Sequence, residues 1–119
     1  MPRKKLVAIF LIALLGGGFL PSSPMAAEKA ASRYKDLCAS CHGTRGKGDG
    51  PTAAALNPKP RDLTNCKVMA AESDEAIFKI IKEGSQSVGR SPMMPAWGGA
   101  LKDQQIRELA TYIRSFCKK

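Results

Sequence analysis

The sequence predicts a small all-α domain that folds around a bound ligand. Three segments have the composition or the apolar periodicity of helices, and no segment has the pattern of a convincing β-strand. Two long segments between the helices are rich in glycine and proline, and they are too long to serve only as connections. In a chain of 119 residues, this pattern indicates three helices whose loops wrap around something other than protein.

The first 27 residues have the form of a secretory signal peptide. A basic cluster at residues 3–5 is followed by an apolar run over residues 6–20. The run is shorter than the roughly 20 residues that a membrane-spanning helix needs, so cleavage near residue 27 is predicted. The mature domain is then expected to occupy residues 28–119 in the periplasm. An uncleaved N-terminal membrane anchor is the alternative.

The first helix is predicted over residues 28–39, an alanine-rich stretch that leads into a Cys-x-x-Cys-His motif at residues 38–42. Cysteines three positions apart lie one helical turn from each other, so both sulfurs can reach one edge of a porphyrin. The histidine that follows can offer its imidazole to the iron. This motif is the attachment signature of c-type haem. It predicts one haem c bound covalently by Cys38 and Cys41, with His42 as an iron ligand.

The far side of the iron needs a different kind of ligand, because the chain has only one histidine. A methionine is the strongest remaining candidate. Met93 and Met94 lie side by side in the irregular segment over residues 84–99, and Met94 stands directly before a proline. The residues alone leave the choice between the two methionines open.

The remaining elements follow from turn residues and from helical periodicity. Residues 43–65 are predicted as an irregular loop against the haem edge, and a backbone carbonyl in that loop is expected to accept the second ring N–H of His42. The second helix is predicted over residues 73–83, between a serine cap and Gly84. The third is predicted over residues 101–116, where apolar side chains recur at helical spacing.

Cys66 and Cys117 lie outside the haem motif. In an oxidising compartment, a further even pair of cysteines indicates a possible disulfide between them. Two separate thiols, or a bond from Cys117 to another chain, are the alternatives.

The charge of the chain bears on its partners. The net charge is +9, and removal of the three basic residues at positions 3–5 with the signal segment leaves about +6. A small basic domain is drawn to acidic faces of other proteins or to anionic membrane surfaces, although the same lysines also favour solubility. No nucleic-acid partner is expected.

Three blocks of sequence, in this order, resemble class I cytochromes c of the small bacterial monohaem kind. They are YKDLCASCHG, then GDGP with NPKPRDLT, and then MPAWGGAL before the last helix. The resemblance covers residues 34–116. It implies the cytochrome c fold, with three main helices and long loops around one covalently attached haem. It also implies that Met94 is the distal iron ligand and that the carbonyl of Pro51 accepts the His42 ring N–H.

The resemblance implies single-electron transfer rather than catalysis, because His42 and Met94 would close both sides of the iron. The expected partners are other redox proteins that dock at the exposed haem edge through acidic surfaces. Alternatives are a haem-based sensor or a peroxidase-like protein with a labile distal ligand, and a zinc module that uses the four cysteines. A thioredoxin-like dithiol enzyme would require the two motif cysteines to follow a strand.

Overall fold

The computed structural model describes residues 23–117, and its regular structure within that range is helical, without a β-strand. The all-α prediction is therefore confirmed. The signal peptide predicted for residues 1–27 lies outside the described residues, except for its last five positions. No helix between residues 23 and 117 has the length and apolar character that crossing a membrane requires.

Five α-helices follow one another along the chain. They are α1 (Pro24–Leu37), α2 (Ala39–His42), α3 (Cys66–Ala70), α4 (Asp74–Glu83) and α5 (Asp103–Ser115). The three long helices α1, α4 and α5 correspond to the three predicted ones. The short helix α3 was not predicted, because five residues are too few to show a periodic apolar pattern.

The boundaries of α4 are set by local chemistry, as predicted. The Ser73 hydroxyl accepts a hydrogen bond from the Ala76 N–H at 3.0 Å, which satisfies one of the free donors at the start of the helix. Gly84 ends the helix with φ = 81°, a conformation that favours glycine. The last helix, α5, begins two residues later than predicted, and the Gln105 side chain accepts a hydrogen bond from the Lys102 N–H at 2.9 Å.

The core lies where α1 and α4 pack against α5. Its largest fully buried side chains are Tyr34, Ile106 and Leu109. Tyr34 also packs edge-on against Phe116 at a centroid distance of 5.2 Å and at a tilt against Tyr112 at 5.4 Å, so aromatic rings fill the crossing of α1 and α5. The Tyr34 hydroxyl is satisfied by a hydrogen bond of 2.8 Å to the Gly43 carbonyl. This crossing therefore reaches the residue that directly follows α2.

Arg114 joins the end of α5 to the turn between α3 and α4. Its Nη1 donates to the Met69 carbonyl at 2.6 Å, and its Nε donates to the Asp74 carboxylate at 2.9 Å. A further N–H donates to the Glu72 carbonyl. One side chain thus satisfies carbonyls near the end of α3, where no helical donor is left.

The Glu72 carboxylate holds two arginines from separate loops. Its Oε1 accepts hydrogen bonds from Arg61 at 2.6 Å and from Arg90 at 2.5 Å. These bonds, first that from Arg90 and then that from Arg61, hold the pKa of Glu72 below its usual value. A depressed carboxyl pKa stabilises the fold above the usual pKa of 4.5, and this stabilisation is lost as the pH falls through the lower value of the folded protein.

Glu72→Gln is therefore expected to lower the free energy of unfolding at neutral pH by about 1 kcal/mol, a figure reduced for the partial exposure of both arginines. The variant should also lose less stability than the wild type when the pH falls below 4.5. Denaturant unfolding at pH 7 and pH 3.5 measures both effects. Glu83→Gln is the matched control, because Glu83 is exposed and has no ion pair among the described residues. Equal losses in the two variants would contradict the role assigned to Glu72.

Candidate haem-binding site

The short helix α2 brings the motif cysteines and the histidine into one helical turn. The N–H groups of Cys41 and His42 both donate to the Cys38 carbonyl, at 3.2 and 2.9 Å. Cys38 is buried, whereas Cys41 and His42 are half-buried. The helical turn predicted from the spacing is confirmed, and it presents two thiols and an imidazole from one compact segment.

The loop after α2 holds this turn in place through the carbonyls of the motif. Gly50 donates its N–H to the Cys41 carbonyl at 3.1 Å, and Gly48 donates to the His42 carbonyl at 2.7 Å. Thr52 donates its hydroxyl to the Ser40 carbonyl at 2.7 Å and its N–H at 3.0 Å. The glycine-rich loop is thus hydrogen-bonded to the haem motif. This agrees with its length, which is too great for a simple connection.

Gly50 lies so close to α2 that no side chain fits there. An added Cβ atom would be 2.5 Å from the Ala39 carbonyl oxygen and still closer to that of Ser40. Gly50→Ala is therefore expected to push the loop off the haem motif, to destabilise the protein by roughly 3 kcal/mol and to lower the yield of haem-loaded protein. Gly99→Ala is the control, because no atom lies within 4 Å of its added Cβ. Denaturant unfolding and haem content measure these effects. Wild-type stability and haem content in both variants would contradict this account.

His42 has a backbone partner, but it is not the predicted one. Its Nδ1 lies 3.1 Å from the carbonyl oxygen of Arg61. The prediction that Pro51 supplies this acceptor is therefore wrong in this structure. The reason is the path of the loop, since its N–H bonds around Pro51 go to the carbonyls of residues 40 and 41, and a short 3-10 turn follows at Ala53–Ala55. The carbonyl that reaches the His42 ring comes from the later segment that holds Arg61.

This hydrogen bond determines what the imidazole can do. When Nδ1 carries the proton and donates it to a carbonyl, Nε2 is left with a free electron pair that can bind a metal. Burial lowers the pKa of His42, while the bond to Arg61 opposes that shift, so the ring is neutral at pH 7. Next to two thiols in the same turn, a neutral histidine with one oriented nitrogen fits the donor set of a c-type haem.

The acidity of Cys38 separates this site from a dithiol redox enzyme. Burial, followed by the neighbouring Cys41, raises the pKa of the Cys38 thiol to about 11. Reactive motif cysteines require the opposite shift, since the thiolate is the nucleophile. Nor does a strand precede the motif in residues 23–117. Both findings disfavour the thioredoxin-like alternative.

The two adjacent methionines differ in their surroundings. Met94 is half-buried and packs against the core cluster that contains Cys38 and Ala39, whereas Met93 is 49% exposed. The Met94 carbonyl accepts a hydrogen bond from the Ser85 N–H at 3.3 Å, and an added Cβ on Gly84 would lie 3.0 Å from the same oxygen. The backbone of Met94 is thus held against the end of α4. These contacts favour Met94 over Met93 as the residue directed inward.

Cys66 and Cys117 are brought together, at the start of α3 and just after α5. The Cys66 Sγ lies 3.4 Å from the Cys117 carbonyl oxygen. Their proximity agrees with the pairing that the sequence indicates. Both are free thiols in the structure, and the disulfide itself stays a prediction. They are separate from the haem motif, and no cluster of three or more His, Cys, Asp or Glu side chains suited to a metal ion exists within residues 23–117. That arrangement disfavours a four-cysteine zinc module.

The sequence interpretation did not identify the Arg61 carbonyl as the partner of His42 or Glu72 as the partner of the Arg61 side chain. Arg61 supplies the acceptor for His42, and its side chain is held by Glu72 at 2.6 Å. Pro58 and Pro60 precede Arg61 and indicate an extended stretch, but they do not indicate which carbonyl faces the histidine. No sequence pattern links Arg61 to Glu72.

Comparison with known proteins agrees with the interpretation of this site as a c-type haem site. The family described as "Cytochrome C oxidase, cbb3-type, subunit III" matches residues 25–113. The chain is 32% identical over 95 residues to the cbb3-type cytochrome c oxidase subunit FixPc of Rhizobium leguminosarum bv. viciae, covering 80% of this chain and 29% of that protein. It is 36% identical over 89 residues to FixP of Bradyrhizobium diazoefficiens, covering 75% of this chain and 27% of the relative. The chain thus spans less than a third of the length of these relatives.

A solved structure resembles the fold as a whole. The KustC0563 c-type cytochrome superposes with a TM-score of 0.60 at 25% identity, covering 75% of this chain and 98% of that one. Helix order, the haem motif on α2 and the family match lead to one assignment. The chain belongs to the cytochrome c oxidase, cbb3-type, subunit III family, and it is a class I c-type cytochrome.

Proposed function

We propose that this chain is a periplasmic carrier of single electrons with one haem c, bound through thioethers to Cys38 and Cys41 and ligated by His42 and Met94. The observation that carries the proposal is the hydrogen bond of 3.1 Å between His42 Nδ1 and the Arg61 carbonyl. It commits one ring nitrogen to the protein and leaves the other for iron, beside two thiols in the same helical turn.

The chain's own residues would act by holding the haem and orienting its iron ligands. His42 keeps its ring orientation through Arg61, whose side chain is in turn held by Glu72 at 2.6 Å. Met94 offers a soft thioether from a segment anchored to the end of α4. Haem bound by such residues supplies a reversible one-electron iron couple, and thioether ligation favours the reduced state. If His42 and Met94 both hold the iron, no ligand position would be left for a substrate, so we infer that the chain itself is not an enzyme.

The partners are inferred from charge and from relatives. The relatives are named as subunits of cbb3-type cytochrome c oxidases, which indicates an oxidase or another respiratory redox protein as the partner. Lys82 pairs with Asp103 and Arg90 pairs with Glu72. Exposed lysines without an ion pair among the described residues include Lys47, Lys59, Lys79 and Lys102. Such residues would steer a transient encounter with an acidic surface, and binding should weaken as salt is added.

Export rests on the N-terminal sequence. A basic cluster and an apolar run of the length of a signal segment favour cleavage and release into the periplasm. The intact mass of the exported protein distinguishes this from a retained N-terminal anchor. Loss of about 27 residues supports cleavage, and the full-length mass would contradict it.

The function is tested by a potentiometric titration of the haem-loaded protein, followed by mixing of the reduced form with carbon monoxide. The proposal predicts one reversible one-electron transition and no rapid binding of carbon monoxide, because Met94 would hold the iron where carbon monoxide binds. Rapid binding would favour the alternative of a haem sensor or peroxidase-like protein with a labile distal ligand. Protein without haem would contradict the whole assignment.

A further inference from the structure

Each of the two cysteines outside the haem motif lies against the chain segment that carries the other. Cys66 begins α3, and its Sγ lies 3.4 Å from the carbonyl oxygen of Cys117. The Sγ of Cys117 in turn lies 3.5 Å from the carbonyl oxygen of Leu63, three residues before Cys66. Both cysteines are half-buried. Each thiol is thus directed toward the backbone that carries the other, although 51 positions separate them in the sequence.

Other contacts already hold the two segments in this position. Arg114, three residues before Cys117, donates to the Met69 carbonyl of α3 at 2.6 Å. A bond between the sulfurs would therefore join backbones that are in place without it. Geometry of this kind is the main requirement for a disulfide, because bridges that force a backbone movement store strain.

We propose that Cys66 and Cys117 form an intramolecular disulfide in the exported protein. The proposal rests on the export inferred above, since disulfides persist in oxidising compartments. The two thiols lose two protons and two electrons as one S–S bond forms. The electrons pass by thiol–disulfide exchange to the disulfide of a periplasmic thiol oxidant, which becomes a dithiol.

The bond would close a loop that contains α3, α4 and α5. It would tie the end of α5 to the segment that begins at Arg61, whose carbonyl accepts from His42. The cross-link restricts the unfolded chain more than the folded one. The protein with the disulfide is therefore expected to unfold at a higher denaturant concentration than the protein with two free thiols, by about 1 M guanidinium chloride.

The test is thiol alkylation of the denatured haem-loaded protein, purified from the periplasm of a host that attaches c-type haem, with and without prior reduction. The proposal predicts no alkylated cysteine before reduction, and label on Cys66 and Cys117 after it. The unreduced protein should also be a monomer on a denaturing gel. Label on Cys66 or Cys117 before reduction, or a covalent dimer, would overturn the proposal.

Peptide mapping distinguishes this failure from failure of the proposed function. Label on Cys38 or Cys41, with or without reduction, contradicts thioether attachment of the haem, whereas label on Cys66 before reduction contradicts the disulfide alone. The double variant Cys66→Ser with Cys117→Ser should keep its haem. Compared at the same oxidation state of the iron, its unfolding midpoint should not change when thiols are reduced, whereas that of the wild type should fall. An unchanged unfolding midpoint of the wild type after reduction of its thiols would count against the proposed cross-link.

Discussion

Met94→Ala is expected to leave the haem attached but to lower its reduction potential by on the order of 100 mV or more, within the roughly 0.8 V range that axial ligands span. The thioether stabilises ferrous iron, and its loss admits water or another harder ligand that favours ferric iron. Attachment should persist because Cys41 lies in α2 and Cys38 directly before it, far along the chain from Met94. Potentiometric titration measures the change.

Met93→Ala is the matched control, because Met93 precedes Met94 directly and is 49% exposed. Its potential should stay near that of the wild type. Removal of either methionine takes away a side chain of the same volume and chemistry, so a difference between the variants reports the ligand. A large fall in potential for Met93→Ala, with Met94→Ala unchanged, would reverse the assignment.

The double variant Cys38→Ala with Cys41→Ala is expected to lose both the haem and cooperative unfolding. A domain of about 90 residues buries little surface, and a bound porphyrin adds a large apolar mass to its core. The fully buried large side chains of the described chain are only Tyr34, Ile106 and Leu109, all at the helix crossing. Thermal or denaturant unfolding followed by circular dichroism should show a broad, non-cooperative loss of helix.

The control for this experiment is Cys66→Ser with Cys117→Ser, which also removes two thiols but leaves the haem motif intact. It should retain haem and a sharp unfolding transition. A sharp transition in the haem-free variant, at a midpoint close to that of the control, would show that the protein core suffices without haem.

The long helices were predictable because their causes are local. The serine cap and Gly84 set the limits of α4, and the apolar spacing of α5 is visible in the sequence. The helix α3 was not predictable, since one capping side chain, Asn65, and five residues give no periodicity. Its stability depends on Arg114, which comes from a helix distant in sequence.

The haem motif was predictable for the same reason, because Cys38, Cys41 and His42 are fixed by spacing within one turn. The partner of His42 was not. Pro51 and Arg61 both lie in the loop after α2, and the choice between them depends on how the loop folds back. Contacts between Thr52 and Ser40, together with the lack of space at Gly50, set that path, and neither has a signature in the sequence.

The absorption spectrum of the exported protein, recorded in the oxidised and the reduced state, tests the central claim most directly. Ligation by His42 and Met94 predicts low-spin c-type spectra in both states and a weak far-red sulfur-to-iron band in the oxidised form. Denaturation should leave the chromophore attached to the chain. A high-spin spectrum without the far-red band, or a chromophore that separates from the chain on denaturation, would contradict the account.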